Sequence, residues 1–292
     1  MSNKKPNILW ITYEDTSPQF VSCYEQTPVV TTPNIDRLTN EGVRFNQAYA
    51  SAPVCSASRT AIITGVCNEA TGLGHHRSKY PLPRQQIPGF PKYLQAAGYY
   101  TTNNEKTDYN IEDEEDYIAE AWDESSHEAH WRNRNPGQPF FSVFNYMDSH
   151  QSRTMTNQWQ WYEENVLGNL SDEEKISPDD VSVPPIYRNN KEMQKHVSRV
   201  YNSLKLTDRQ IGEKLQELEE DGLLEDTIIF CFADHGEGIP RGKTNAIGFG
   251  YRASFAVYFP DKYAHLSPWG VQTVTDELVS FEDLAPTVLS LA

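Results

Sequence analysis

Three runs of apolar residues constrain the fold more than any other feature of this sequence. They are NILWITY at residues 7–13, PFFSVFNY at residues 139–146 and TIIFCFAD at residues 227–234. A strand with one solvated face alternates apolar and polar residues, whereas a nearly continuous apolar run is typical of a strand that helices cover on both sides. The runs therefore predict buried strands of a parallel sheet.

Helical patterns separate these strands. Thr32 and Pro33 stand where a helix begins and Gly42 where it ends, so TPNIDRLTNEG predicts a helix. Residues 192–220 carry a long apolar stripe at helical spacing. VRFNQAYA predicts a strand, FPKYLQAAG a helix and YYTTNN a strand. This alternation, without an internal repeat, predicts one doubly wound α/β domain over residues 1–292, with a mostly parallel sheet and helices on both faces.

The charge of the chain limits its partners. Its formal net charge is -16 at pH 7, so it should repel nucleic acid, and an anionic substrate must be met by Lys or Arg at the site. No apolar run is long enough to span a membrane. The start MSNKKPNILW lacks the apolar stretch of a signal peptide. The chain as it stands is therefore expected in the cytoplasm, or in the periplasm or outside the cell if a leader has been removed.

Acidic and histidine side chains follow all three apolar runs. Glu14 and Asp15 follow the first run and His150 the second, while Asp234 and His235 close the third. Open α/β sheets bind ligands beyond the carboxyl ends of their strands, so these groups should converge on one site. Carboxylate oxygens suit Ca²⁺ or Mg²⁺ better than a soft metal. Acidic pairs at strand ends also occur as simple caps, and Glu14 and Asp15 alone do not decide between these readings.

Cys55 stands just before a predicted helix. Free N–H groups and the helix dipole favour an anion there, and Arg59 would lie about one turn further on. A thiolate or a bound oxyanion would be stabilised at this position. A buried structural cysteine is the alternative that these residues leave open.

The segment CSASR at residues 55–59, with a Thr-Gly pair after it, resembles the signature Cys-x-Pro/Ala-Ser-Arg of the type I sulfatases. Further landmarks of that family occur in the same order along the chain: Glu14-Asp15, Lys106, His150, Asp234-His235-Gly236-Glu237 and Lys243. The loop IPRGKTN is similar to one in bacterial sulfatases related to the glycosaminoglycan sulfamidases. The resemblance covers nearly the whole chain and implies an alkaline-phosphatase-like α/β fold.

The resemblance implies a metal centre and a modified cysteine. A maturation enzyme would oxidise Cys55 to formylglycine, whose hydrated aldehyde is the family's nucleophile. The family's usual ion is Ca²⁺, with Mg²⁺ as the alternative, and the modified Cys55 would share it with four further residues: Glu14, Asp15, Asp234 and His235. Glu14 stands where the family most often has Asp. His235 stands where Asn or His is found, and it is expected to bind either the metal or the sulfate.

The resemblance also implies the groups that meet the substrate. Three cations would surround the sulfate oxygens: Arg59, Lys106 and Lys243. His150 would donate a proton to the leaving group. Many sulfatases have a histidine where this chain has Asp108, so Asp108 is expected to bind a substrate hydroxyl or amine. His76 is a further candidate at the mouth of the pocket.

These features together predict a sulfuric ester hydrolase that acts on a sulfate ester or a sulfamate. The expected substrate is a sulfated carbohydrate or another sulfated small molecule, and the expected protein partner is a sulfatase-maturating enzyme. A phosphoester or phosphonate hydrolase of the same superfamily and a catalytically silent binding protein are the alternatives. FEDLAPTVLSLA resembles the helix that precedes the family's small antiparallel C-terminal subdomain, so the chain is expected to be a truncated sulfatase without it.

Overall fold

An eight-stranded sheet forms the centre of the protein. The computed structural model describes residues 5–25 and 29–292, so most of the basic tail at the start of the chain lies outside the described residues. The strands are β1 (Asn7–Tyr13), β2 (Val43–Tyr49), β3 (Tyr100–Asn104), β4 (Glu124–Ser125), β5 (Phe140–Tyr146), β6 (Thr227–Ala233), β7 (Phe255–Tyr258) and β8 (Thr273–Ser280). Their order is β4-β3-β5-β1-β6-β7-β2-β8, and all run parallel except β7, which is antiparallel to β6 and β2.

Helices connect the strands throughout the described part of the chain. They are α1 (Pro33–Glu41), α2 (Cys55–Thr64), α3 (Asn68–Thr71), α4 (Pro91–Ala96), α5 (Glu114–Ala121), α6 (Trp159–Asn165), α7 (Lys191–Glu220), α8 (Gly248–Tyr251) and α9 (Leu284–Leu291). Short 3-10 turns and one π-helical turn at Ser152–Thr156 complete the connections. None of these helices combines the length and the apolar character needed to cross a membrane.

The apolar runs form the middle of the sheet. All seven residues of both β1 and β6 are buried, as expected for strands covered on both faces. Trp10 of β1 packs against Phe90, Phe141 and Phe232, with ring centroids 5.0–5.4 Å apart. The prediction of a doubly wound, mostly parallel α/β fold is therefore confirmed.

The strand register brings the ends of three strands together. Tyr13 of β1 lies opposite Tyr146 of β5 and opposite Ala233 of β6. Because these strands are parallel neighbours, the residues that follow them emerge at one edge of the sheet. This edge carries the acidic and histidine side chains of the candidate site.

A long-range contact caps helix α1. Thr32 precedes the helix but makes no capping hydrogen bond from its side chain. The carboxylate of Asp208 in α7 instead accepts hydrogen bonds from the backbone N–H groups of Asn34 and Ile35, at 3.3 and 2.8 Å. Asp208 is 2% exposed, and burial raises the pKa of its carboxyl to about 6 although these N–H groups oppose the shift. One buried side chain thus joins the two helices.

The pattern of the sequence did not predict strands β4, β7 and β8. β4 has two residues and β7 has four, so each is too short to show a period. In the described part of the chain β8 pairs with β2 alone, and charged Asp276 and Glu277 interrupt its apolar pattern. Pairing in the sheet, rather than local preference, defines these strands.

We expect Asp208→Ala to lower the free energy of unfolding by about 1–2 kcal/mol, because two backbone N–H groups at the start of α1 lose their acceptor. Urea denaturation at pH 7 measures the change. Glu213→Ala, which removes an exposed carboxylate from the same helix, is the matched control and should change stability by less than about 0.5 kcal/mol. Equal effects of the two substitutions would contradict the capping role.

Candidate active site

Two neighbouring strands deliver the acidic part of the site. Glu14 and Asp15 follow β1, and Asp234 and His235 follow β6; all four side chains are at most 1% exposed. The Asp15 N–H donates to Asp234 Oδ1 at 3.1 Å, which ties the two strand ends together. Asp15 has φ of 47°, a left-handed conformation that non-glycine residues seldom adopt. The chain therefore bends sharply where the acidic side chains converge.

Cys55 is the first residue of α2 and faces this acidic cluster. Its Sγ lies 3.3 Å from His235 Nε2, 3.6 Å from Glu14 Oε2 and 3.9 Å from Asp15 Oδ1. One potential ligand atom from each of Asp15, Cys55, Asp234 and His235 lies within 4.8 Å of the others. The candidate metal-binding residues of the sequence analysis are thus neighbours in space.

Three cations neutralise the three carboxylates. Arg59 bonds Glu14 Oε1 at 2.6 Å through Nη2 and Asp234 Oδ2 at 3.2 Å through Nε. Lys106 Nζ lies 2.6 Å from Glu14 Oε2. Lys243 Nζ lies 2.8 and 2.9 Å from the two oxygens of Asp15. The formal charges of these six groups therefore cancel.

These pairings set the protonation states of the site. Burial opposes ionisation of Glu14, but Lys106 and Arg59 outweigh it and lower the pKa of its carboxyl. Lys243 does the same for Asp15 against its burial. Burial, together with Asp234 and Glu14, raises the pKa of the Cys55 thiol, which is therefore protonated at neutral pH. The geometry thus presents ionised carboxylates beside a neutral thiol.

The donor set fits a hard divalent cation. Asp15, Asp234 and Glu14 offer carboxylate oxygens, which Ca²⁺ and Mg²⁺ prefer. His235 Nδ1 donates to the Gly236 carbonyl at 2.9 Å, so Nε2 is the ring nitrogen that faces the cluster. The fit follows from the types of donor and their spacing.

His150 lies beside the cationic part of the site. Its Nε2 accepts a hydrogen bond from Lys243 Nζ at 3.2 Å, and its Nδ1 lies 2.9 Å from Ser152 Oγ. Burial lowers the pKa of the imidazole despite the opposing influence of Asp15. His150 is therefore neutral at pH 7 in this arrangement, with Nε2 directed at the same lysine that contacts Cys55 at 3.0 Å.

The two residues assigned to substrate binding lie at different places. Asp108 lines a pocket of about 510 Å³ whose wall also includes Lys106 and His150. Its carboxylate forms an ion pair with Arg77 at 3.1 Å. His76 is exposed, and its Nδ1 lies 2.8 Å from Ser56 Oγ. The structure therefore brings Asp108 into the pocket wall and holds His76 against the residue that follows Cys55.

The sequence analysis missed three polar residues of the site. Asn145 Oδ1 accepts a hydrogen bond from Arg59 Nη1 at 2.7 Å. Ser149 Oγ donates to the Glu14 carbonyl at 2.7 Å, and Arg77 pairs with Asp108. The position of Asn145 at the end of an apolar run was the one available signal, because polar residues after buried strands mark the binding edge of such sheets.

Comparison with known proteins gives consistent matches. A family model described as Sulfatase matches residues 6–292. An ulvan-active sulfatase of Formosa agariphila is 34% identical over 99% of this chain and 52% of its own length. The human N-sulphoglucosamine sulphohydrolase is 26% identical, with 89% of this chain and 56% of that protein covered. The chain thus spans about half the length of these two relatives.

The fold also occurs among solved structures. A Bacteroides thetaiotaomicron protein, from work on the metabolism of multiple glycosaminoglycans, aligns with a TM-score of 0.74. The alignment covers 98% of this chain and 72% of that chain, at 18% sequence identity. At this identity the match shows a shared fold.

We expect Ca²⁺ added to chelator-treated protein to raise the melting temperature by several degrees, because a ligand at 100 times its Kd stabilises the folded state by about 2.7 kcal/mol. Differential scanning fluorimetry measures the shift. Asp234→Asn should remove most of it. Asp148→Asn, which changes an acidic residue paired with Arg153 outside the cluster, should keep it. An equal shift in both variants would place the ion elsewhere.

Proposed function

Because the chain belongs to the sulfatase family, as the motif around Cys55 predicted, we propose that it hydrolyses a sulfate ester or a sulfamate on a sulfated carbohydrate. The observation that carries the proposal is the convergence of Cys55, three carboxylates and three cations at one edge of the sheet. The names of the relatives, which refer to ulvan and N-sulphoglucosamine, support a carbohydrate substrate.

Cys55 is proposed as the precursor of the nucleophile. Its motif supports this role, and so does its place at the start of α2, with Sγ 3.0 Å from Lys243 Nζ. A maturation enzyme would oxidise the side chain to formylglycine, whose hydrated aldehyde supplies an oxygen nucleophile for the sulfur atom. The N–H groups at the helix N-terminus suit an anionic sulfate group beside residue 55.

Glu14, Asp15, Asp234 and His235 are proposed to hold Ca²⁺, or Mg²⁺ in its place, and the bound ion would supply a Lewis acid for the sulfate oxygens. Arg59, Lys106 and Lys243 would orient the sulfate group. Fixed cations that meet charge as it develops lower the barrier of a transfer reaction without reorganising. The guanidinium of Arg59 is itself held in place by Glu14, Asp234 and Asn145.

His150 is proposed to move the proton that the leaving group needs. Its Nε2 faces the cationic side of the site, and it shares the pocket wall with Lys106 and Asp108. The ring of His150 must first gain a proton to act as a general acid, and Nε2, which here accepts a hydrogen bond from Lys243, is the nitrogen that would carry it. Asp108 would accept a hydrogen bond from a hydroxyl or amine of the substrate in the same pocket, and His76 would contribute from the pocket's edge.

Co-expression with a maturation enzyme, followed by an assay of sulfate release, tests the proposed function. Because residue 57 of the motif is Ala rather than Pro, we expect the radical, oxygen-independent maturase to be the compatible one. Protein co-expressed with it should carry an aldehyde at residue 55, seen by peptide mass spectrometry, and should release sulfate from sulfated saccharides. Cys55→Ala should abolish turnover without changing the fold, whereas Cys67→Ala is the matched control. Full activity from protein with an unmodified Cys55 thiol would overturn the proposal in favour of phosphatase-like chemistry.

Substitution of His150 tests the proton transfer. We expect His150→Ala to slow poor leaving groups such as sugar hydroxyls about 10²–10⁴-fold, because they depend on the donated proton. Activated aryl sulfates, whose leaving groups are stable anions, should slow by less than about tenfold. Rates across a series of aryl sulfates measure this dependence, with His265→Ala, an exposed histidine, as control. A uniform loss across the series would argue against a general acid at His150.

A further inference from the structure

The wall of the pocket beyond Lys106 and His150 contains an arginine that has no role in the proposed reaction. We propose that Arg77, in this wall, binds a second acidic group on the saccharide that carries the scissile sulfate. The inference rests on the proposed function and narrows its substrate to saccharides with at least two anionic groups. The second group would be a carboxylate or another sulfate, since both present the planar or tripodal oxygens that a guanidinium recognises.

The three cations beside Cys55 already have protein partners. Arg59 donates hydrogen bonds from Nε, Nη1 and Nη2 to Asp234, Asn145 and Glu14, respectively. Lys106 and Lys243 each contact a carboxylate within 2.9 Å. These three cations are positioned for one sulfate group at the reacting centre. A second anionic group needs a further cation.

Arg77 is such a cation, and part of its guanidinium group is available to a ligand. Its side chain is 62% exposed, and it lines the same pocket of about 510 Å³ as Lys106 and His150. Nε and Nη2 bond the two oxygens of Asp108 at 3.1 and 3.4 Å. Nη1 makes no hydrogen bond with the described residues. Asp108 therefore orients the guanidinium and leaves donors available for a ligand.

The backbone holds this pair where it lies. The Arg77 N–H donates to Ser56 Oγ at 3.0 Å, which ties Arg77 to the residue after Cys55. Arg77 and Asp108 have φ of 53° and 51°, left-handed conformations that non-glycine residues seldom adopt. Such conformations concentrate at ligand sites, where the surrounding structure enforces them. Both members of this ion pair have such a conformation.

The spacing suits two groups on one saccharide. Asp108 Oδ2 lies 3.4 Å from Arg77 Nη2 and 4.0 Å from Lys106 Nζ, so one carboxylate oxygen separates the outer cation from an inner one. When a sulfate group lies beside Lys106, an acidic substituent on the same or the next sugar can therefore reach Arg77. The formal charge of -16 repels a polyanionic saccharide at long range, so its binding depends on local cations such as Arg77.

Competitive inhibition tests the inference. Maturated enzyme is assayed on 4-nitrophenyl sulfate, which has no second anionic group, with N-acetyl-D-glucosamine 6-O-sulfate, whose amide is neutral, or D-glucosamine 2-N,6-O-disulfate as inhibitor. The disulfated sugar should inhibit the unaltered enzyme about tenfold more strongly, and Arg77→Ala should remove this preference. Arg77→Lys should restore part of it, because it keeps the charge and loses the bidentate geometry.

The controls separate the two proposals. Arg37→Ala removes an equally charged side chain from an ion pair with Glu219 on α7 and should keep the preference. The preference is the ratio of the two inhibition constants within one variant, so a change in 4-nitrophenyl sulfate turnover alone does not alter it. No preference in the unaltered enzyme, or an unchanged one in Arg77→Ala, would overturn the inference. Maturated enzyme without 4-nitrophenyl sulfate turnover would instead count against the proposed function.

Discussion

The site depends on the neutralisation of three buried carboxylates by the buried Arg59 and the partly buried Lys106 and Lys243. Removing an ion from water costs several kcal/mol, and the loss is recovered only where each charge finds a well-placed partner. Glu14 has two such partners, Arg59 and Lys106, and Asp15 has Lys243. A divalent cation would leave this cluster with excess positive charge, which an anionic sulfate group would offset. The balance of charge therefore favours the binding of cation and anion together.

The charge balance of the site involves residues that are far apart in the chain, and the sheet brings them together. The strands β1, β5 and β6 lie side by side and run parallel, so their following residues meet at one edge although the strands are far apart in the chain. The Asp234 N–H continues this pairing by donating to the Tyr13 carbonyl at 3.0 Å. The hydrogen bonding of the sheet thus continues into the site, and the buried strands hold the site residues in place.

The sequence predicted those parts of the molecule whose cause is local. Apolar runs identified the central strands because burial on both faces removes the usual alternation, and the motif at residues 55–59 identified the family. The capping of α1 by Asp208 could not be predicted, because the acceptor lies 173 residues after Ile35. Arg77 was missed for a related reason, since an arginine in a polar loop has no distinguishing pattern until Asp108 is placed beside it.

Lys243 contacts three residues that have different proposed roles and come from different parts of the chain. Its ammonium contacts Asp15, Cys55 and His150, which are proposed to bind the metal, provide the nucleophile and move the proton. The loop that carries it is fixed to the same region, because the Lys243 N–H donates to the Glu237 carbonyl and the Thr244 N–H to the Pro53 carbonyl, both at 2.7 Å. A Cβ at Gly242 would lie 2.1 Å from the Glu237 carbonyl oxygen, so only glycine permits this approach. The position of the lysine is therefore set by backbone contacts that reach the segment just before Cys55, and a change in that segment would move the cation and the nucleophile together.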